Sequence, residues 1–304
     1  MIRIGTRSSR LAVFQAELLK YRLVRECNVP ESEVVIKRIT TTGDKIKDKN
    51  LYQIGGKGLF IKELEESLLS NNIDIAVHSL KDIPAITPES LKIAAVIDKG
   101  NPYDAFLSNK SKDIFSLPQN ATLGTSSPRR AAQIKSLRPD IKIVSFRGNV
   151  DTRINKLNSN LVDATILSVA GLERLEVSEN YYSVIDCSVM IPAIGQGVIC
   201  AECRDADSKI YKLLNKVNDS QAYKLAVTER IVLEGMGADC KTPIAGYAWI
   251  ENDKIHLKSM VAKYDGSQVV KVQVSGKVDD YESVGREALN KLQSMIGRNF
   301  FSEE

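Results

Sequence analysis

The chain has 304 residues, 43% of them hydrophobic and 26% charged, with a formal net charge of +4. Such totals exclude a disordered or membrane-embedded class and allow two or three domains, each with its own core. A charge this small over this length makes no strong global field, so the basic residues act through their placement. The first predicted element is a strand running into the turn Ile4-Gly5-Thr6-Arg7-Ser8-Ser9-Arg10-Leu11-Ala12, which opens a helix. Short β-branched runs, Val34-Val35-Ile36 and Ile73-Asp74-Ile75-Ala76-Val77, then flank Leu59 to Leu69, whose apolar residues recur at helical spacing. This βαβ rhythm restarts after Asp98-Lys99-Gly100-Asn101-Pro102. It predicts a strand over Ala121 to Leu123, a helix from Pro128, a strand over Ile141 to Phe146, a helix from Asp151 and a strand over Ala164 to Leu167. A third segment starts near Asp219 with a helix through Gln221 to Leu233 and a glycine-rich loop. The alternating runs Gly246 to Ile250, Ile255 to Ala262 and Gln268 to Val274 follow, then an amphipathic helix, Tyr281 to Ile296, which together read as a small α+β unit.

Within the second α/β segment, Leu123-Gly124-Thr125-Ser126-Ser127-Pro128-Arg129-Arg130-Ala131 nearly copies the first turn. Ser127 reads as the N-cap and Pro128 as the first helical residue, where a missing N–H costs least. Helix starts leave backbone N–H groups without internal partners and carry the positive end of the helix dipole, so two such turns imply two facing anion-binding halves. Cations gather at the loops that follow strands: Arg7, Lys57, Lys81, Arg129, Arg130, Arg147, Arg153 and Arg174. Any one of them is ordinary surface charge, but as a group beside Gly, Ser, Thr and Asn they suit a ligand with several carboxylates or phosphates. Asp82, in Ala76-Val77-His78-Ser79-Leu80-Lys81-Asp82-Ile83-Pro84, follows a buried strand at the rim of the expected crevice. It either handles protons or stabilises a developing positive charge, or only serves as a cap or pairs with Lys81. His78 reads as a satisfied structural imidazole.

Gly55-Gly56-Lys57-Gly58-Leu59-Phe60 lacks the spacing of a P-loop or a dinucleotide fingerprint, and with the charged stretch before it reads as a lid or an ordinary surface loop. The five cysteines, Cys27, Cys187, Cys200, Cys203 and Cys240, are odd in number and scattered, which fits a reducing compartment. Cys200 and Cys203 sit in a strand-like run and read as buried thiols, not as ligands of a metal. Cys240 differs, standing in the glycine-rich loop Gly235-Met236-Gly237-Ala238-Asp239-Cys240-Lys241-Thr242-Pro243-Ile244 with a lysine beside it, a setting that favours thiolate chemistry. No apolar signal core follows Met1 and no run approaches the roughly 20 apolar residues of a membrane span, so a cytoplasmic protein without membrane contact is expected.

Over most of its length the chain resembles the hydroxymethylbilane synthase, or porphobilinogen deaminase, family. The resemblance rests on Gly5-Thr6-Arg7-Ser8-Ser9, Gly55-Gly56-Lys57-Gly58-Leu59-Phe60, Val77-His78-Ser79-Leu80-Lys81-Asp82-Ile83-Pro84 and Gly124-Thr125-Ser126-Ser127-Pro128-Arg129-Arg130. Arg147-Gly148-Asn149, Ala170-Gly171-Leu172, Gly195-Gln196-Gly197 and Cys240 with Pro243-Ile244 extend it. It implies a transferase that joins porphobilinogen units head to tail with release of ammonia. The implied cofactor is a dipyrromethane held by a thioether on Cys240. By the same resemblance Asp82 is the catalytic carboxylate. Cofactor-binding positions are Cys240, Lys81, Ser79, Asp82, Thr125, Ser127, Arg129, Arg130, Arg147 and Gly148. Substrate-binding positions are Arg7, Gln15, Lys57, Arg147, Arg153, Arg174 and Gln196. No metal is implied.

The implied fold is α/β, two periplasmic-binding-protein-like lobes plus a small C-terminal α+β domain. Domain 1 covers 1–98 and 194–217, domain 2 covers 99–193 and domain 3 covers 218–304 with the cofactor cysteine. Departures from the family pattern are the longer loop before Cys240 with an acid next to it, Gln53 where some relatives carry lysine, and Cys200 where small residues are usual. The expected partner is porphobilinogen, with no nucleic acid and no membrane, and the expected state is a monomer. Two other readings remain. A non-catalytic lobe pair that captures a small polyanion needs neither Asp82 nor the thiol of Cys240, and nucleic-acid binding is disfavoured by 6% aromatics and no basic helical stripe.

Overall fold

A computed structural model describes residues 1–45, 61–239, 241–297 and 300–301. Its strands are β1 (Ile2–Arg7), β2 (Val34–Ile39), β3 (Ile75–Ser79), β4 (Leu91–Lys99), β5 (Asp104–Ser108), β6 (Thr122–Gly124), β7 (Lys142–Val144), β8 (Ala164–Ser168), β9 (Ser183–Ile185), β10 (Val198–Arg204), β11 (Ile244–Glu251), β12 (Lys254–Ala262) and β13 (Val269–Lys277). The helices are α1 (Arg10–Cys27), α2 (Thr42–Lys45), α3 (Lys62–Leu69), α4 (Pro128–Leu137), α5 (Val150–Asn158), α6 (Val169–Glu173), α7 (Ser208–Lys216), α8 (Ser220–Gly235) and α9 (Tyr281–Met295). Contacts divide the chain into two units, Met1–Gly100 with Gly197–Tyr223, and Asn101–Gln196 with Lys224–Glu304.

The first unit holds a five-stranded sheet in the order β2-β1-β3-β10-β4. Strands β1, β2 and β3 run parallel, as βαβ connections require, while β10 enters antiparallel to both β3 and β4. Strand β10 is buried from Val198 to Cys203, apolar but for Glu202, the pattern of a central strand covered on both faces. Helix α1 buries Ala12, Gln15, Ala16, Leu19 and Leu23, a stripe at helical spacing, against Ile4, Ile75 and Val77. Ser9 caps it by accepting from Ala12 N, and Asn28 ends it at φ 56° in the left-handed region.

The second unit contains a sheet in the order β7-β6-β8-β5-β9, with β6, β7 and β8 parallel and β5 antiparallel to β8 and β9. The two sheets therefore share one plan: three parallel strands in the order second-first-third, then one antiparallel strand from elsewhere in the chain. Ser127 caps α4 by accepting from Arg130 N at 3.4 Å, with Pro128 in the first turn, as the residues predict. Gly124, the glycine of this turn, packs so closely that a Cβ there would lie 2.5 Å from the Phe146 ring. The α/β class with two such lobes is thus what the chain adopts. A third, antiparallel sheet, β11-β12-β13, carries α8 and α9 against one face through Leu225, Val232, Val284, Ala288 and Leu292, the expected α+β appendage. Buried Glu229 ties this appendage down by accepting from Gly195 N at 2.7 Å and Ala248 N at 2.8 Å.

Candidate active site

In the first unit, five predicted residues converge. Strand β1 ends at Arg7 and β3 at Ser79, and the carboxyl ends of parallel strands are where open α/β sheets place their ligands. After Ser79 the chain makes a single 3-10 turn, Leu80–Asp82, closed by Ile83 N donating to Leu80 O at 3.0 Å. Leu80 and Ile83 are both buried, and these two apolar anchors leave Lys81 half-buried and Asp82 exposed between them. Arg7, Gln15, Ser79, Lys81 and Asp82 line one pocket together with His78. Buried Gln15, facing out of α1, donates Nε2 to Ser79 Oγ at 2.8 Å and so fixes the hydroxyl at the strand end. Among the described residues that line it, the charged side chains besides the imidazole are Arg7, Lys81 and Asp82.

In the second unit the α4 N-terminus is built around an acid that sequence reasoning did not single out. Asp104, at the start of β5, is fully buried. Its carboxylate accepts from Arg129 Nη1 at 2.7 Å and Nη2 at 3.2 Å, from Arg130 Nε at 3.0 Å and Nη2 at 2.7 Å, and from Gln196 Nε2 at 3.0 Å. Arg129 also donates to Ile191 O and Arg130 to Ile166 O, each at 2.8 Å. Burial alone would raise the Asp104 carboxyl, but Arg129 and Arg130 overturn that and hold it well below the usual carboxylate range. Burial pushes the Arg130 guanidinium below its ordinary value while Asp104 opposes the shift. The arginines expected to face ligand are thus packed inside, at 4% and 6% exposure, as cations around one acid. The signal for Asp104 in the sequence is a lone carboxylate opening the apolar run Ala105-Phe106-Leu107, since an acid buried there must find a cation.

Around this cluster Thr125 is buried and its Oγ1 accepts from Ser127 N at 3.2 Å, while Ser127 closes the helix start. The loop after β7 lies alongside, joined by Ser126 Oγ, which accepts from Phe146 N at 3.0 Å. That loop presents Arg147, half-buried with its guanidinium pushed down by burial, and Gly148, whose φ of +127° is one that L side chains rarely adopt. Arg153, one turn into α5, donates Nε to Gly148 O at 2.8 Å. Asn149 caps α5 by accepting from Thr152 N at 2.9 Å. Arg174 stands at the C-terminal end of α6, one short helix beyond the sheet edge that holds the others. Lys57, the glycine-rich segment around it and Cys240 lie outside the described residues. Cys200 and Cys203 are fully buried in β10, as their strand-like run predicts.

An acidic group fits this half. Two buried guanidinium groups share a single carboxylate, and Arg129 Nε has no hydrogen-bond partner among the described residues. One cation in excess, beside a capped helix N-terminus, is complementary to carboxylate arms.

Comparison with known proteins gives the family. The model described as porphobilinogen deaminase, dipyromethane cofactor binding domain, matches residues 2–212, and that described as porphobilinogen deaminase, C-terminal domain, matches residues 223–294. The porphobilinogen deaminase of Orientia tsutsugamushi (strain Boryong) is 44% identical over 298 residues, 97% of this chain and 99% of that one. That of Syntrophomonas wolfei subsp. wolfei is 40% identical over 302 residues, 99% of this chain and 98% of the relative. That of Ruthia magnifica subsp. Calyptogena magnifica is 42% identical over 294 residues, covering 97% and 96%. Among solved structures, a VFT2 domain of Bordetella pertussis BvgS aligns over 75% of this chain and 91% of its own at 13% identity and a TM-score of 0.45. Because both domain models follow one another along nearly the whole sequence and the curated relatives match it end to end, this chain is an enzyme of the porphobilinogen deaminase family, with a dipyrromethane cofactor binding domain.

Proposed function

We propose that the chain condenses porphobilinogen units head to tail into linear hydroxymethylbilane, on a dipyrromethane primer held by a thioether to Cys240. The observation that carries this reading is the pocket that exposed Asp82 lines together with Arg7 and Lys81. Each unit brings an acetate and a propionate arm, so a lengthening product is a polyanion and needs repeated cations, not one. When bound, the primer would supply the ring carbon to which the first unit is joined, each later unit joining the ring added before it. At each addition the aminomethyl C–N bond of porphobilinogen breaks and ammonia leaves. The methylene carbon so freed would bond to a carbon of the terminal ring, which would give up its proton. The Asp82 carboxylate opposes the positive charge that develops on the incoming ring as the amine departs, which lowers the barrier by electrostatic stabilisation.

Other residues bind and orient. Lys81, Ser79, Thr125, Ser127, Arg129, Arg130, Arg147 and Gly148 serve the arms of the primer, the two buried arginines through the excess charge they hold around Asp104. Arg7, Gln15, Lys57, Arg147, Arg153, Arg174 and Gln196 serve the arms of the substrate. The three sheets support a division into domain 1 (1–98 and 194–217), domain 2 (99–193) and domain 3 (218–304). A cytoplasmic monomer belongs to the same proposal, and no helix among the described residues is long and apolar enough to cross a membrane. The test is stoichiometric: purified chain incubated with porphobilinogen should release one ammonia per porphobilinogen consumed and yield a linear tetrapyrrole. Porphobilinogen that binds and is recovered unchanged would instead favour a lobe pair that only captures a polyanion.

A further inference from the structure

One buried group beside the Asp82 pocket has no part in the mechanism above. Strand β10 pairs with β3 so that Cys200 lies opposite His78 and Glu202 opposite Ala76, which puts His78 and Glu202 on one face of the sheet as diagonal neighbours. His78 Nε2 and Glu202 Oε2 are 3.3 Å apart, with side-chain exposures of 3% and 0%. Among the described residues, neither His78 Nε2 nor either oxygen of Glu202 makes a hydrogen bond. Ala76, the cross-strand partner of Glu202, belongs to an apolar cluster with Leu64, Leu68, Ile73 and Leu91. Helix α3 adds Glu65, whose carboxyl is pushed up first by burial and further by Glu202. A carboxylate in such a place is expensive to desolvate, and an apolar residue of similar volume would serve packing better. Among the described residues, the ion-pair partner of Glu202 is the imidazole of His78, which lines the pocket.

We propose that Glu202 is a positioning residue: through its contact with His78 it fixes the imidazole in the wall of the pocket against the ring held at Asp82. The inference rests on Asp82 marking the reacting centre. Glu202 itself does not line that pocket. Its effect reaches the reaction only through the orientation of His78, and misplacing a pocket group by about 1 Å costs on the order of a hundred-fold in rate.

Glu202→Gln keeps the size and removes the charge, and His78→Gln removes the ring. Each single variant and the double variant are purified, their pyrrole adduct verified by intact mass, and kcat, KM and Tm measured with porphobilinogen. The expected result is kcat lowered roughly ten-fold or more in Glu202→Gln with KM little changed, and a double variant no slower than the slower single, because both substitutions break one contact. A Glu202→Gln chain with lowered Tm but wild-type kcat overturns the proposal, as does a double variant whose loss is the product of the two single losses. Should Glu202→Gln fail to fold, Glu202→Asp keeps the charge and draws it back from His78. A slowed, folded Glu202→Asp chain supports the proposal, and wild-type kcat in that variant overturns it. Asp82→Asn is run alongside. If that variant turns over normally, the reading of the pocket fails first and this inference with it, whereas an inactive Asp82→Asn with an unaffected Glu202→Gln refutes the positioning role alone.

Discussion

Replacing Asp104 by Asn should reveal how much of the second unit hangs on one buried carboxylate. Five N–H groups from Arg129, Arg130 and Gln196 converge on its two oxygens, and the side chain is wholly inside. Asn keeps the volume but removes the charge, leaving two buried guanidinium groups without a counter-ion. Breaking a buried pair in this way costs about 3–5 kcal/mol. For a folding unit of this size, 1 kcal/mol moves Tm by about 2–4 °C, so a loss of roughly 6–20 °C at pH 7 is expected by calorimetry. The pH dependence has a definite sign. Because the folded Asp104 carboxyl lies below its ordinary value, its contribution is fully present above the unfolded value of about 3.9 and fades as pH falls below it, by about 1.4 kcal/mol per pH unit. The stability difference between wild type and Asp104→Asn should therefore shrink as pH is lowered from 4 toward 3. A variant within 1 kcal/mol of wild type at pH 7, or a difference that does not change over that acid range, would refute the reasoning.

Gly124→Ala should destabilise the second lobe by about 1–3 kcal/mol, since the added methyl would meet the Phe146 ring at 2.5 Å; an unchanged denaturation midpoint would contradict it. Asp82→Asn should leave the melting curve in place and lower kcat by about 10²–10³, as loss of one electrostatic stabiliser does, and near-normal turnover would make Asp82 merely structural. Burial pushes the Cys203 thiol up to about 11, so alkylation at pH 8 followed by peptide mapping should label Cys187 long before Cys203. Equal labelling of both would show that β10 opens far more readily than its packing implies.

Local chemistry made the frame legible. Ser127 with Pro128, and the helical stripe that begins at Ala12, announce α4 and α1 because caps and periodicity act within a few residues. The strand expected over Ile73 to Val77 instead begins at Ile75, because Asp74 is taken by Arg3, whose backbone N, Nε and Nη2 all donate to it. The strand expected to reach Phe146 stops at Val144, since Phe146 N turns away to Ser126 Oγ. Pairings across long stretches of chain were not legible. Strand β4 owes its place to β10, about a hundred residues later, and nothing local to Leu91–Lys99 specifies that partner. The same holds for the site: the basic residues of the two turns stand out by spacing, while Asp104 and Glu202 gain their roles only when distant strands bring them to Arg130 and His78.

A pyrrole chain tethered to sulfur and gripped by these cations stays on the protein through purification, so it shows in the intact mass of the purified chain. Wild type should carry a mass excess equal to two porphobilinogen units less two ammonia, mapping to the peptide with Cys240, and Cys240→Ser should lack it. A catalytically active wild type at its unmodified mass would contradict the account.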